Sequence, residues 1–264
     1  TDRGRQSQFL PIRVLGFIAI CIPTITVYLC IISTFFTHSD KIDYSLNRSY
    51  RNCPQIKSIL APVSYSIASW EPQRQLWALI VIVCLPARVV LMMMIPRVWW
   101  ESSWRFGFYA SSSLEMIGLV LLSLFHDQSK IYYYLHFASF GWWWMATLCV
   151  MAIVVYMQQA TGLIDNDPCI YRLWLVKIAI FCAFVLGSCT ISLSYPLAST
   201  FCSLIAFTIF CLGEYTLIAL NAVFWALLIF EFSREFEGFQ VLPVRAIRKM
   251  TSDTKPEISV VALP

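Results

Sequence analysis

The sequence predicts an all-α fold: a polytopic membrane protein built as a bundle of six transmembrane helices. Hydrophobic residues make up 59% of the 264-residue chain and charged residues only 13%, whereas a soluble domain carries about 25% charged residues. Long apolar stretches recur along the chain, and about 20 apolar residues suffice to span a membrane. The net charge of +4 comes without a basic stripe, so no nucleic-acid partner is expected.

Six segments are long and apolar enough to be spans: roughly 14–36, 75–96, 107–125, 131–157, 173–194 and 200–230. The first is longer than a signal-peptide core of about 7–15 residues, so it is interpreted as a spanning helix. Residues 37–73 form one long polar loop, and Tyr195-Pro196 is expected to break the fifth helix from the sixth. The predicted domains are therefore an N-terminal segment 1–13, a membrane domain 14–230 and a disordered tail 231–264.

The distribution of lysine and arginine predicts that both termini are cytosolic and that loop 37–73 is luminal. Cytoplasmic loops of membrane proteins carry an excess of these residues. With the N-terminus inside, twelve of them lie on the inside, Lys177 among them, and six on the outside. An odd number of spans would remove this preference.

Three charged residues, Arg88, Glu115 and Glu214, lie deep inside apolar stretches. Each costs at least ~2.5–3.5 kcal/mol in hydrocarbon. With a helical rise of about 1.5 Å per residue, each lies about 16–21 Å from the outer end of its span, so the three share one depth. They indicate either a buried polar tie between helices or an ion-paired floor beneath a polar cavity, where the arginine holds a phosphate or carboxylate. Asn221 follows Glu214 by seven residues and extends the same helix face.

The three histidines, His38, His126 and His136, fall at the outer ends of predicted helices, with Asp127 beside them. A histidine near a carboxylate can act as a general base, although helix ends also tolerate histidines without function. Because no Ser-His-Asp order, HExxH motif or phosphate-binding glycine loop occurs, the residues alone leave enzyme chemistry open. No cysteine pair has zinc-type spacing, so no metal site is expected.

The predicted luminal side carries two modification candidates. Cys53 in the long loop and Cys202 at the mouth of the sixth span would both face an oxidising compartment, which makes them the candidate disulfide. Asn47-Arg48-Ser49 is a glycosylation sequon in the same loop, with an unused chance sequon as the alternative.

A set of residues scattered over roughly 10–232 forms a recognisable pattern: Cys53 through Pro62, Ser64, Ser66, Ile67, Pro72-Gln73-Arg74, Arg88, Glu115, Cys202, Glu214-Tyr215-Thr216 and Asn221. This pattern resembles the post-GPI-attachment-to-proteins factor 2 family, which shares its domain with the N-terminal half of the yeast cell-wall biogenesis protein that remodels GPI lipids. Related autophagy-modulator-like membrane proteins share the wider superfamily.

The resemblance implies a Golgi or endoplasmic reticulum membrane protein that takes part in fatty-acid reacylation of lyso-GPI at the luminal leaflet. Its partners would be a GPI lipid and other GPI-remodelling membrane proteins; no cofactor is expected, and the acyl donor stays open. The lipid-binding candidates are Arg74 and Arg88, which would hold lipid phosphate, with Tyr215 and Asn221; the catalytic candidates are Glu115, Glu214, His126 and His136.

The chain also departs from the pattern of the family it resembles. Histidines expected at three positions appear as Ala198, Tyr133 and Trp225. A divergent member without them is expected to have altered or lost activity, so the alternative is a non-enzymatic lipid-binding or scaffold protein of the same fold. A small transporter ranks third, because intramembrane charges also mark transport paths but internal repeats are not evident.

Overall fold

A computed structural model describes the part of the chain that carries the helices, and every structural statement below refers to that part. The described residues are 9–10, 12–38, 60–99, 102–125, 130–162, 164, 167–235 and 239–240.

Six helices are long and apolar enough to cross a membrane, which confirms the predicted fold class. Most helix ends lie one to seven residues beyond the predicted bounds, because a helix continues into the polar residues where hydropathy falls. The exceptions are the third helix, which ends at 124 and not 125, and the sixth, which begins at 204 and not 200. The first span joins α1 (Ile12–Gly16), a π-helix (Phe17–Cys21) and α2 (Ile22–Thr37); the others are α4 (Gln73–Trp99), α5 (Ser102–Leu124), α6 (Lys130–Ala160), α7 (Pro168–Phe201) and α8 (Leu204–Glu235).

The π-helix in the first span adjusts the backbone just before a proline. The Ile22 N–H bonds to the carbonyl of Phe17, five residues back. Pro23 has no N–H to continue the α-helical ladder, and a local widening of this kind is one way for a helix to accommodate that loss. Pro23 also lines the cavity described below.

The loop between the first two spans is not polar throughout, as residues 37–73 were predicted to be. Leu60 to Pro62 lead into a short helix, α3 (Val63–Ala68), whose residues are largely buried against α2, α4 and α8. This apolar stretch is too short to be recognised as a span, so its burial could not be read from hydropathy. The segment 60–68 therefore packs among the membrane-crossing helices.

The predicted break at Tyr195-Pro196 is wrong. Helix α7 continues through Pro196 to Phe201 and ends at Cys202, whose φ of 51° is left-handed. Ser203 then begins α8, its side-chain hydroxyl accepting from the Ala206 N–H at 3.3 Å. Proline is tolerated inside membrane helices because neighbouring groups can satisfy the freed carbonyl, whereas a left-handed residue redirects the chain.

Both ends of the described chain meet on one side of the bundle. The strands β1 (Phe9–Leu10) and β2 (Phe239–Gln240) pair antiparallel, with Phe9 opposite Gln240. An even number of spans requires the two ends to lie on the same side. Which side of the membrane that is remains the prediction made from the lysines and arginines.

Candidate functional site

The Arg88 and Glu115 side chains form an ion pair inside the bundle. Arg88 Nη2 lies 3.1 Å from Glu115 Oε1, joining α4 to α5. The Glu115 side chain is 1% exposed and that of Arg88 12%. An unpaired charge at this position would carry the full cost of desolvation, so each charge stabilises the other.

Trp225 of α8 completes the environment of this pair. The Arg88 guanidinium lies over its ring, 5.9 Å from the ring centre, within the range of a cation–π interaction. Trp225 occupies one of the positions where the family resemblance leads one to expect a histidine. The resemblance leads one to expect a titratable imidazole at position 225, and the structure has an indole there that contacts Arg88.

Glu214 is not paired with Arg88; it holds the segment 60–68 instead. Its Oε2 accepts from the backbone N–H of Val63 at 2.7 Å, at the start of α3. The first N–H groups of a helix have no partner inside that helix, so an oxygen acceptor satisfies one of them. The helix dipole also stabilises a negative charge near the N-terminus of a helix. The Tyr215 hydroxyl donates to the Ala61 carbonyl, and Cys211 Sγ lies 3.9 Å from the Leu60 carbonyl.

A cleft beside these residues contains about 770 Å³ of space not filled by atoms, its open side included. It brings together residues from the π-helix, α2, α3, α4, α5, α6 and α8, and we call it the inner cavity. Its polar and aromatic lining residues are Thr24, Ser64, Trp77, Arg88, His136, Phe140, Trp143, Glu214, Asn221 and Trp225. The remaining wall is mostly aliphatic.

A second cleft, of about 1020 Å³ with its open side included, adjoins the inner cavity. The two share Ser64, His136, Phe140 and Glu214. Segment 60–68 contributes to both walls, so the tether between Glu214 and Val63 fixes the boundary between them.

His136 lies at this boundary and is buried. Its Nδ1 is 2.9 Å from the carbonyl oxygen of Phe125. Because a carbonyl can only accept, this contact places the proton on Nδ1. The other predicted catalytic histidine, His126, lies outside the described residues.

Of the remaining predicted site residues that the structure describes, Arg74 and Tyr215 lie apart from the inner cavity and Asn221 lines it. Arg74 forms an ion pair with Glu71 near the surface, and Tyr215 faces a separate cleft beside α2. Cys202 is disulfide-bonded, whereas its predicted partner Cys53 and the sequon residue Asn47 lie outside the described residues.

A second buried ion pair was not predicted. Lys177 of α7 pairs with Glu231 of α8, and its ammonium also donates to the Gln158 side chain of α6. The orientation prediction counted Lys177 among the lysines on the inner side of the membrane. Lys177 is instead fully buried. The position of Lys177 inside an apolar run could have indicated a buried ion pair. Its partner Glu231 was assigned to the tail 231–264, so the pair was not predicted.

Comparison with known proteins identifies the domain. Residues 11–235 match the family described as the Frag1/DRAM/Sfk1/Cwh43P N-terminal domain, the shared domain to which the resemblance pointed. No curated protein and no solved structure matches the chain. The matched range contains all six membrane-crossing helices and both clefts. The chain is therefore a multi-pass membrane protein that belongs to the Frag1/DRAM/Sfk1/Cwh43P N-terminal domain family.

Proposed function

We propose that this protein is a GPI-anchor lipid remodelling factor that takes part in fatty-acid reacylation of lyso-GPI at the luminal leaflet of the Golgi or endoplasmic reticulum. Membership of a family whose description includes the Cwh43P N-terminal domain supports the proposal. So does the narrower resemblance to post-GPI-attachment-to-proteins factor 2. Its partners are then a GPI lipid and other GPI-remodelling membrane proteins.

The observation that carries the proposal is a polar cavity inside a bundle of membrane helices. Arg88, His136, Glu214 and Asn221 line a space whose other walls are mostly aliphatic and aromatic. Such a space suits a molecule that is apolar along most of its length and polar at one end. A lipid has that character.

Under this proposal the residues divide between holding the lipid and supporting the cavity. Glu115 is engaged by Arg88, and Glu214 by the Val63 N–H. His136 is the described cavity residue suited to accept a proton from a lipid hydroxyl during acyl transfer. We therefore assign Glu115 and Glu214 positioning roles and make His136 the first candidate for the base.

The proposal is tested in cells that lack the protein. Loss should leave GPI-anchored proteins as lyso-forms that are shed from the surface, as seen by mass spectrometry of their lipids. Wild-type protein should restore the remodelled lipid, and His136→Ala should not. Thr190→Val is the matched control, because its hydroxyl bonds only within its own helix on an exposed face. Unchanged GPI lipids in the deleted cells would refute the proposal.

A non-enzymatic lipid-binding or scaffold protein is the second candidate. The engagement of both carboxylates in structural contacts favours it, as do Ala198, Tyr133 and Trp225 at the positions expected to hold histidines. Restoration by His136→Ala, with protein levels unchanged, would select this candidate over the enzyme. A transporter stays third, since the family match adds no support for it.

A further inference from the structure

Residues that line the inner cavity carry four buried polar atoms that make no hydrogen bond to any described residue. They are Trp77 Nε1 and Arg88 Nε from α4, Trp143 Nε1 from α6 and Asn221 Oδ1 from α8. Trp77 and Trp143 are each 5% exposed and Asn221 8%. Four such atoms come from three helices that meet at one cleft.

Buried polar groups in folded proteins are nearly always hydrogen-bonded, so each exception asks for an explanation. An indole N–H in particular has one donor and usually finds a partner when buried. Here three donors and one acceptor gather around a space large enough for a ligand. A ligand with matching acceptors and a hydroxyl would satisfy all four atoms.

The charges around the cavity decide which ligand that is. Arg88 already contributes its charge to Glu115, and Glu214 adds a second carboxyl group. The cationic and acidic groups therefore do not leave a positive excess, and protonation of either His136 or Glu214 brings the sum only to zero. Sites that bind phosphate instead concentrate uncompensated arginine, lysine or helix N-termini.

We propose that the inner cavity binds the uncharged glycerol region of a lyso-lipid, and that the lipid phosphate stays outside it. The indole and guanidinium N–H groups donate to an ester carbonyl and to the hydroxyl oxygen. Asn221 Oδ1 accepts from the free hydroxyl. The acyl chain lies along the aliphatic wall formed by Ile20, Val27, Leu119, Leu122 and Ile218.

This inference rests on the proposed function in taking a lyso-lipid as the ligand, and it changes the role expected for Arg88. Arg88 was expected to hold phosphate. With its Nη2 occupied by Glu115, its Nε remains as a donor to an uncharged oxygen.

Two probes that differ only in a phosphate test the proposal on the purified full-length protein in detergent. They are 1-oleoylglycerol and 1-oleoyl lysophosphatidic acid, and native mass spectrometry gives the dissociation constant of each. We expect the two probes to bind within about threefold of each other, because a phosphate that stays outside the cavity adds no contact. No binding of 1-oleoylglycerol, or binding of the lysophosphatidic acid at least tenfold more tightly, would overturn the proposal.

Variants of the two tryptophans identify the donors. Trp77→Phe and Trp143→Phe keep an aromatic ring and remove the N–H, so each should weaken 1-oleoylglycerol binding by roughly fivefold, the effect of one hydrogen bond. The control is Trp142→Phe, because Trp142 is 51% exposed and does not line the inner cavity. Unchanged binding by both Trp77→Phe and Trp143→Phe would overturn the proposal.

The outcomes separate this inference from the proposed function. Similar binding of the two probes to a protein whose deletion leaves GPI lipids unchanged would refute the function and keep the site. Altered GPI lipids together with at least tenfold tighter binding of the lysophosphatidic acid would refute the site and keep the function. If an indole variant does not fold, the comparison of the two probes on the wild-type protein decides.

Discussion

Among the described residues, two buried ion pairs have different surroundings. Lys177 and Glu231 are joined by Gln158, whose Nε2 donates to Glu231 Oε2 at 2.8 Å, and all three side chains are buried. Arg88 and Glu115 form a single 3.1 Å contact, and Arg88 lines the inner cavity. None of the three residues of the Lys177 cluster lines either cleft described above.

The difference shows that a charge within a membrane helix is not by itself a mark of function. The Lys177 ammonium donates to the side chains of Glu231 and Gln158, and these contacts offset the cost of burying its charge in the membrane. Each pair keeps one buried atom without a partner among the described residues, Arg88 Nε and Glu231 Oε1, but of these two residues only Arg88 lines the inner cavity. We infer that the first pair ties helices together and that the second serves a ligand.

Removing one partner of the Lys177 cluster should give the largest loss of stability. Lys177→Met leaves Glu231 buried without its cation, and breaking a buried pair costs about 3–5 kcal/mol. The free energy of unfolding in detergent should fall by that amount. Wild-type stability in Lys177→Met would show that the pair is not a structural tie.

Replacing each whole pair by apolar residues should separate structure from function. Lys177→Met with Glu231→Leu should lie within about 2 kcal/mol of wild type, because an apolar pair of similar volume can substitute for a buried ion pair. It should also restore GPI lipids in deleted cells. Arg88→Met with Glu115→Leu should fold but fail to restore them. The opposite pattern in the two double variants would reverse our assignment.

Loss of the Glu214 tether should be a smaller effect. Glu214→Ala leaves the Val63 N–H unsatisfied and should cost about 1–3 kcal/mol. Glu214→Gln keeps an acceptor oxygen, so its cost should be about 1 kcal/mol or less. Limited proteolysis within residues 60–68 should be faster in Glu214→Ala than in Glu214→Gln. Equal proteolysis in the two variants would contradict the tether.

The smallest effect should come from the contact that positions Trp143. A Cβ added at Gly118 would lie 2.8 Å from Trp143 Cα, so the backbone of α6 would have to move. We expect Gly118→Ala to cost about 1–2 kcal/mol, since overpacking exceeds the gain in helix propensity. Gly141→Ala is the control, because its Cβ would meet nothing within 4 Å, and it should be stabilising by up to ~1 kcal/mol. A thermal midpoint in Gly118→Ala equal to that of wild type would contradict the close approach.

Much of the fold could be predicted because a membrane span is recognisable from its length and its apolar composition. The need to pair charges also indicated that Arg88 would find a partner such as Glu115. The helix ends were less predictable, because the polar residues beyond 230 continue α8 to Glu235. The burial of α3 depends on tethers from α8, which no local pattern reveals.

The composition of the cavity could not be predicted in the same way. Trp77 and Trp143 lie in apolar runs, where a tryptophan counts as one more hydrophobic residue. That their N–H groups find no described partner depends on how α4, α6 and α8 pack. Lys177 and Glu231 are 54 residues apart, so their contact also arises only from the packing of α7 on α8.

The tether between Glu214 and Val63 has a consequence for the order of biogenesis. The two residues are 151 positions apart, and Glu214 lies on the last of the six described spans to be synthesised. While the ribosome is still making the earlier spans, segment 60–68 has no anchor on α8, and the inner cavity lacks the wall that Asn221 and Trp225 supply. The inner cavity is therefore completed only when α8 has entered the membrane, so a chain truncated before α8 inserts with that cavity incomplete.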